Sequence, residues 1–356
     1  MMATPSLASV ETPFVQVDLD IAERNIVRLQ AYCDEHHLKL RPHIKTHKLP
    51  RLARFQVEQG AVGITCQKLS EADAMTEGTG LDDVLITYNL VGEAKRDRLR
   101  ALSERIRLSV VADSAAVVDE LAAAMKGTGR KLTVLVECDT GARRCGVPTP
   151  EAAAELANRI AASSDLHFGG LMTYPPVGGT EAVQDFMQKA KSLIEAFGIP
   201  VETITSGGSP DMWRAHEASI ITEYRPGTYV YNDRSLVARG VCGFDDCALN
   251  VVATVVSVPD PHRAIIDAGS KVLTSDLLGL TGHGHVLGRP DIAIDQLSEE
   301  HGRLVTEQPI ALSVGERVRI VPNHACVVAN MLDFVVLSRG DTLIGPEPVA
   351  ARGRVW

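Results

Sequence analysis

The side chains best suited to chemistry stand in residues 41–48, where His43, Lys45 and His47 alternate along the chain. The segment follows an apolar run and precedes Pro50, which predicts a strand end that passes through a short loop into a helix. Residues two apart on a strand share a face, so the three side chains are expected to point the same way. Titratable neighbours at the mouth of an apolar barrel would lower the pKa of the lysine, and a neutral amine forms Schiff bases with carbonyls. A solvated basic loop is the alternative interpretation.

A second pair of candidate ligands, His324 and Cys326, also stands two residues apart. On a strand both would turn to one side, and thiolate with imidazole favours zinc among the common divalent ions. Because only two protein ligands are evident, we expect an open site that water or substrate completes. A buried cysteine beside a hydrogen-bonded histidine is the alternative. The histidines that could assist in this part of the chain are His283, His285 and His301.

The elements that must position these residues alternate between β-rich and helical patterns. The apolar β-rich runs, eight in number, cover residues 38–45, 61–66, 83–88, 108–112, 132–138, 168–173, 203–206 and 221–224. The helical patterns between them cover residues 50–59, 69–77, 93–103, 114–125, 150–162, 181–197 and 210–217. This alternation predicts an α/β fold, a parallel (β/α)8 TIM-type barrel over residues 20–235.

The rhythm changes after Asp233, where short strands are split by Gly, Pro and Asp and no convincing helix separates them. These strands are predicted at residues 249–258, 263–267, 292–297, 317–320 and 334–338. The pattern predicts a mainly antiparallel β domain over residues 236–356, which carries the candidate metal pair. The first strand, residues 14–19, is expected to join that domain.

The composition excludes several classes of protein. The 356 residues carry a net charge of -9, whereas neutralising phosphates requires a basic face, so a nucleic-acid partner is not expected. Apolar runs fall short of the ~20 residues that a membrane span needs, and residues 1–10 do not form a secretory signal. The cysteines, seven in all, show no paired spacing, which indicates reduced thiols in a cytoplasmic protein.

Two small-residue turns at strand ends indicate a phosphate ligand. The seventh predicted strand ends in Ser206, Gly207 and Gly208, whose backbone N–H groups, with the dipole of the next helix, would hold a dianion. A second turn, Gly227, Thr228 and Tyr229, follows the eighth strand, and barrels commonly bind phosphate after strands seven and eight. Together with Lys45 these turns suggest pyridoxal 5′-phosphate. Arg144 could reach the pyridine ring or its phenolate oxygen.

As a set, the motifs resemble the D-threonine aldolase and D-serine dehydratase family, a branch of the alanine-racemase-like, fold-type III pyridoxal phosphate enzymes. They are residues 41–48, 66–68, 139–147, 206–208, 225–229 and 324–326, and the resemblance covers nearly the whole chain. It implies a homodimer, Lys45 as the Schiff-base lysine, and a divalent metal (zinc or manganese, with magnesium as a further option) on His324 and Cys326. It also implies that the cofactor is lined by Gln67, Arg144, Tyr174, Ser206, Gly207, Gly208, Gly227 and Tyr229.

The activity implied by the resemblance is retro-aldol cleavage of D-β-hydroxy-α-amino acids such as D-threonine to glycine and an aldehyde. The same parts would serve a dehydratase that gives a 2-oxo acid and ammonia, and Cys326 leans toward that pattern because aldolases of the family often carry aspartate there. Aldolases also carry a histidine-rich loop after the sixth strand, whereas residues 174–179 contain none. The base would then be a hydroxide on the metal or His43. An amino-acid racemase and a non-catalytic pyridoxal phosphate carrier are the more distant alternatives.

Overall fold

The computed structural model describes residues 6–356, and the chain separates into two compact units. The first unit contains the chain up to Val27 with Thr46–Leu49 and Thr228–Gly353, and the second contains Arg28–Lys45, Pro50–Gly227 and Arg354–Trp356. The chain opens with a 3-10 turn, Leu7–Ser9, followed by β1 (Phe14–Asp18) and α1 (Leu19–Glu35), which contributes residues to both units.

The second unit is built on a parallel sheet of eight strands in the order β2-β9-β8-β7-β6-β5-β4-β3. These strands are β2 (Lys39–Leu40), β3 (Ile64–Cys66), β4 (Asp83–Ile86), β5 (Arg107–Ala112), β6 (Leu132–Cys138), β7 (Leu166–Thr173), β8 (Ile204–Gly207) and β9 (Glu223–Arg225). The connections contain α2 (Pro50–Glu58), α3 (Leu69–Thr76), α4 (Glu93–Arg105), α5 (Ala115–Met125), α6 (Pro150–Ala161) and α7 (Thr180–Ala196), with 3-10 helices at Ile44–Thr46 and Met212–Glu217. The predicted (β/α)8 architecture is therefore confirmed.

The sheet closes because its end strands are hydrogen-bonded to each other. The Val62 N–H donates to the Leu40 carbonyl at 2.9 Å, and the Thr65 N–H donates to the Pro42 carbonyl at 2.8 Å. Alternate strand residues point into the closed sheet, where Leu85, Val111, Leu135 and Met172 form a buried apolar layer. Burial of this layer holds the strands in register and leaves the next inward positions, at the carboxyl ends, for polar residues.

Local sequence signals explain where the barrel helices begin. The Ser114 hydroxyl accepts the Val117 N–H at the start of α5, and the Thr149 hydroxyl accepts the Ala152 N–H at the start of α6. Such side-chain caps satisfy backbone donors that have no partner within the helix. Pro150, in the first turn of α6, has no N–H that would need a partner. The cap at Ser114 places α5 directly after β5, whereas residues 139–149 form a longer loop between β6 and α6.

One glycine in β7 is required by backbone packing, and its replacement gives a testable stability change. Gly170 has φ +129°, and a Cβ there would overlap the Thr203 carbonyl oxygen, which accepts the Leu171 N–H. We expect Gly170→Ala to lower the free energy of unfolding by about 2–4 kcal/mol. Gly198 is the matched control, since it has φ +76° with no atom within 4 Å, so Gly198→Ala should cost about 1 kcal/mol. Equal losses in chemical denaturation would contradict this account of β7.

The first unit contains a mainly antiparallel sheet of nine strands, in which β1 pairs antiparallel with β10 and parallel with β16. Its further strands are β10 (Leu249–Asp260), β11 (Arg263–Ile266), β12 (His285–Val286), β13 (Ala293–Leu297), β14 (Gly302–Val305), β15 (Arg317–Val321), β16 (Phe334–Arg339) and β17 (Thr342–Pro348). Its helices are α8 (Arg234–Ala238), α9 (Ser270–Leu273) and α10 (Ala325–Met331), with 3-10 turns at Thr228–Val230 and Phe244–Asp246.

The structure corrects several details of the predicted elements. The strand predicted at residues 38–45 is only β2, because the chain then winds into the 3-10 helix Ile44–Thr46. Strands β12, β14 and β17 and helices α8, α9 and α10 were not predicted. The two-residue β12 is too short to show a period, and β17 carries Gly345, Pro346 and Pro348, which are typical of turns. Within the described part of the chain, no helix has the length and apolar character needed to cross a membrane.

Candidate active site

Lys45 lies in a tight turn at the carboxyl end of β2, not on a strand. The 3-10 helix Ile44–Thr46 rotates successive residues by about 120°, so the expectation that His43, Lys45 and His47 share one face is wrong. The physical reason is local, because the His43 ring accepts the Lys45 N–H through Nδ1 at 3.3 Å and thereby closes a turn. His47 belongs to the first unit, where its Nδ1 accepts the Leu49 N–H at 3.1 Å.

His43 and Gln67, two predicted site residues, are in direct contact. The His43 Nε2 lies 3.1 Å from the Gln67 Oε1, and the Gln67 amide donates to the Thr87 carbonyl at 3.0 Å. Since Nδ1 accepts from Lys45, the network assigns the ring proton to Nε2, which donates to Gln67. Both ring nitrogens are therefore occupied. His43 orients the Lys45 turn and Gln67, and it could accept a proton only by giving up one of these bonds.

The turn after β8 is shaped by two successive glycines. A Cβ on Gly207 would lie 2.6 Å from the Arg225 carbonyl oxygen, so only glycine fits where β8 packs on β9. Gly208 adopts φ +119°, and the nearest atoms to a Cβ there are 3.8 Å or more away. The Gly227 N–H donates to the Ser209 hydroxyl at 3.3 Å, which ties this turn to the end of β9.

The helix that was expected to direct a dipole at this turn is not present. Residues 210–217, predicted to be an α-helix, contain only the six-residue 3-10 helix Met212–Glu217. The dipole part of the prediction is therefore wrong, because a short 3-10 helix does not align enough peptide units. An anion at this turn would have to be held by backbone N–H groups and by side chains such as the Ser206 hydroxyl.

Arg144 and Tyr174, which come from different loops, meet beside the glycine turn. The guanidinium carbon of Arg144 lies 4.7 Å above the Tyr174 ring, and Tyr174 Cε2 lies 3.9 Å from where a Gly208 Cβ would stand. The loop that carries Arg144 is shaped by Asp139, whose Oδ1 accepts the Gly141 and Arg143 N–H groups at 2.9 and 3.0 Å. The cation over the ring is stabilised by the π face and remains near the turn.

Thr228 and Tyr229, also predicted to line the cofactor, fall in the first unit. They form the 3-10 turn Thr228–Val230, in which Tyr229 is buried. The Thr228 hydroxyl lies 3.5 Å from the Cys326 sulfur. The Thr228 side chain therefore contacts Cys326, one residue of the candidate metal pair.

Two buried ionisable side chains of the barrel, Arg225 and Glu137, are not among the site residues predicted from the sequence. Arg225 is buried, and it donates to the Thr205 hydroxyl at 2.8 Å and to the Thr173 carbonyl at 2.6 Å. Burial lowers the pKa of Arg225 to about 10, although the negative charges of Glu223 and Glu137 oppose this change. Burial raises the pKa of Glu137 to about 6, against the opposing charge of Arg144. Alternate residues of β6 and β9 point into the barrel, and an ionisable side chain at such a position is unusual. This alternation could have marked both residues as candidate site residues.

These features fit a phosphate-bearing aldehyde. The second unit contributes a half-buried lysine amine at Lys45, a turn in which Gly207 leaves no space for a side chain and Gly208 has a positive φ, and the guanidinium of Arg144 near that turn. Backbone donors at such a turn suit a phosphate, and an amine suits an aldehyde. The donor set of this unit is therefore compatible with pyridoxal phosphate.

The candidate metal pair lies at the start of a helix and not on a strand. His324 is the residue before α10, and Cys326 is in its first turn, so the predicted strand geometry is wrong. Their side chains still meet, because helix entry brings the two into a hydrogen bond. Burial alone would lower the pKa of His324, but Cys326 and Asp276 raise it to about 9. The Cys326 sulfur also lies 3.1 Å from the Thr46 hydroxyl.

The surroundings of this pair fit an open divalent-metal site. The His324 Nδ1 lies 2.8 Å from the Asp276 Oδ2, which leaves Nε2 as the coordinating nitrogen. A carboxylate on the second ring nitrogen is the usual support of a metal-binding histidine. Among residues 6–356 no group of three or more His, Cys, Asp or Glu side chains is arranged to hold a metal. Imidazole and thiolate would thus be the two protein ligands, and the remaining positions would be open.

Comparison with known proteins places these observations in a family. The sequence profile of the alanine racemase N-terminal domain matches residues 17–235, and that of the putative serine dehydratase domain matches residues 248–338. A 3-hydroxy-D-aspartate aldolase from Paracoccus denitrificans (strain Pd 1222) is 33% identical over 98% of this chain and 93% of its own. A D-threonine aldolase from an Arthrobacter species is 33% identical over 98% of this chain and 94% of its own.

A solved structure agrees over the full length. The crystal structure of D-threonine aldolase from Filomicrobium marinum is 32% identical, with a TM-score of 0.92 and coverage of 100% of both chains. The resemblance inferred from the motifs is confirmed. The chain belongs to the alanine racemase N-terminal domain family and also carries the putative serine dehydratase domain.

Proposed function

We propose that this protein is a pyridoxal-phosphate- and divalent-metal-dependent lyase that cleaves D-β-hydroxy-α-amino acids by a retro-aldol reaction to glycine and an aldehyde. The observation that carries the proposal is the combination, in one chain, of the Lys45 turn and the glycine turn with the supported pair His324 and Cys326. The full-length likeness to two kinds of D-amino-acid aldolase supports it. We further propose that the enzyme acts as a cytoplasmic homodimer.

Pyridoxal phosphate, when bound, supplies an electron sink for the carbanion that forms when Cα–Cβ breaks. The chain provides the groups that hold it: the Lys45 amine for the aldehyde, and the backbone at Gly207, Gly208 and Gly227 for the phosphate. Arg144 and Tyr174 form one wall beside the glycine turn. His43 fixes the Lys45 turn and orients Gln67 toward the same side.

A divalent cation on His324 and Cys326 would act as a Lewis acid that lowers the pKa of the substrate β-hydroxyl. Asp276 orients His324 for this task through the hydrogen bond to Nδ1. The Thr46 hydroxyl lies 3.1 Å from the Cys326 sulfur and would donate a hydrogen bond to it once the thiol is deprotonated. Both ring nitrogens of His43 are already hydrogen-bonded. We therefore propose that a group near the cation, and not His43, accepts the proton of the β-hydroxyl.

A second candidate function is dehydration to a 2-oxo acid and ammonia. The specific observation in its favour is Cys326 at the second ligand position, within the region that matches the putative serine dehydratase domain. In that reaction Lys45 would remove the α-proton and the cation would assist departure of the hydroxyl. The two functions use the same residues and differ in which bond to Cα breaks.

Product analysis distinguishes the two reactions. Purified enzyme supplied with pyridoxal phosphate and zinc or manganese would be given D-threonine, D-serine and 3-hydroxy-D-aspartate. We expect glycine and an aldehyde in at least tenfold excess over 2-oxo acid and ammonia. A predominance of 2-oxo acid from each substrate would establish the dehydratase. L-Threonine is the control, since neither reaction should use it.

A further inference from the structure

Tyr224 lies behind the glycine turn, at a position that no motif indicated. It is the middle residue of β9 and is only 3% exposed. Its hydroxyl donates to the Gly208 carbonyl at 2.5 Å. Burial raises the pKa of this phenol, so it stays protonated and remains a donor throughout the range in which the enzyme works.

This hydrogen bond determines which way the peptide between Gly208 and Ser209 faces. The carbonyl and the N–H of a trans peptide point in opposite directions. With the Gly208 carbonyl held toward the Tyr224 hydroxyl, the Ser209 N–H is directed away from that hydroxyl. Gly208 adopts φ +119°, which a glycine reaches without steric cost. Because glycine can adopt other backbone conformations as well, this orientation of the peptide needs a restraint.

A second contact fixes the same peptide from its other end. The Ser209 hydroxyl accepts the Gly227 N–H at 3.3 Å, and Ser209 is buried. Farther along, the Asp211 Oδ2 accepts the Gly178 N–H at 2.8 Å, which anchors the chain beyond the turn. Three side chains, those of Tyr224, Ser209 and Asp211, therefore hold the glycine turn in place. Of the three, only Tyr224 contacts the Gly208 carbonyl.

We propose that Tyr224 is a positioning residue for the cofactor phosphate. Its hydroxyl holds the Gly208–Ser209 peptide in the orientation that presents backbone N–H to a phosphate dianion. This inference rests on the proposed function, because the ligand it concerns is pyridoxal phosphate. Tyr224 acts through the backbone and does not touch the reacting atoms.

The test compares two cofactors that differ only in the phosphate. Tyr224→Phe should weaken binding of pyridoxal 5′-phosphate roughly tenfold, since it leaves a buried carbonyl without its donor and frees the turn. Binding of pyridoxal, which lacks the phosphate, should change less than about twofold. Dissociation constants would be measured by absorbance titration of apoenzyme, and a shift of the 31P resonance of the bound phosphate should accompany the loss.

Two variants make the result decisive. Tyr32→Phe removes a tyrosine hydroxyl bonded to His216 in the same unit and should leave both affinities unchanged. Gly208→Ala has space for its Cβ but disfavours φ +119°, so it should reproduce the selective loss of phosphate affinity even if Tyr224→Phe folds poorly. Equal weakening of both cofactors, or none, in Tyr224→Phe and Gly208→Ala would overturn the inference. Failure of the wild-type protein to bind pyridoxal phosphate would instead overturn the proposed function.

Discussion

Replacement of Lys45 by alanine is expected to abolish the absorbance near ~420 nm that a protein-bound pyridoxal Schiff base gives. Turnover should fall by a factor on the order of 10³ or more, because the amine that holds the aldehyde is absent. The phosphate turn would be intact in this variant, so pyridoxal phosphate should still bind, though more weakly and with the spectrum of the free aldehyde. Absorbance spectra and initial rates with D-threonine would be recorded for both proteins.

Lys39 offers a matched control for this variant. It lies on β2 six residues before Lys45, in the same unit, and its side chain is exposed. Lys39→Ala should keep both the absorbance and the activity. If Lys45→Ala kept the absorbance and Lys39→Ala or another lysine variant lost it, Lys45 would not be the cofactor lysine.

The fold was predictable because its signals repeat. The β6 run Leu132–Cys138 and the helix caps Ser114 and Thr149 each carry a local pattern, and eight such alternations leave few topologies. The β domain was less predictable because its pairing is non-local. β1 and β16 pair although more than 300 residues separate them, and β12 has only two residues. Short strands of this kind are fixed by their partners and not by their own sequence.

The candidate site was predictable by residue type and less so by geometry. Lys45, Gln67, Gly207 and Arg144 were named because of their positions at strand ends, where barrel chemistry collects. The prediction that His324 and Cys326 share a strand failed because a helix begins between them. The supporting residues Asp276 and Tyr224 could not be predicted from the sequence, because each acts through a non-local hydrogen bond. Asp276 is 48 residues from its partner His324, and Tyr224 is 16 residues from its partner Gly208.

Metal removal should distinguish the role of the metal from that of pyridoxal phosphate, because turnover should be lost while the cofactor remains bound. A chelator is expected to lower turnover of D-threonine by a factor on the order of 10² or more, because the β-hydroxyl loses its Lewis acid. The absorbance near ~420 nm should remain, since Lys45 and the glycine turn do not coordinate the metal. Readdition of zinc or manganese should restore the rate. Full activity with D-threonine in protein shown by elemental analysis to be metal-free would exclude the metal-assisted reaction. Metal-free activity on an amino acid without a β-hydroxyl would instead favour a racemase.

Asp276 makes this experiment specific to the proposed ligands. Because its carboxylate orients His324 through Nδ1 and is not one of the proposed metal ligands, Asp276→Asn should weaken metal affinity by about 10- to 100-fold while saturating metal restores most of the turnover. Cys326→Ala removes a ligand itself and should not be rescued to the same extent. Cys145→Ala is the control, since that thiol is exposed in the other unit. If the metal affinity of Asp276→Asn and Cys326→Ala equalled that of Cys145→Ala, the cation would have to bind elsewhere, and His324 and Cys326 would be a structural pair.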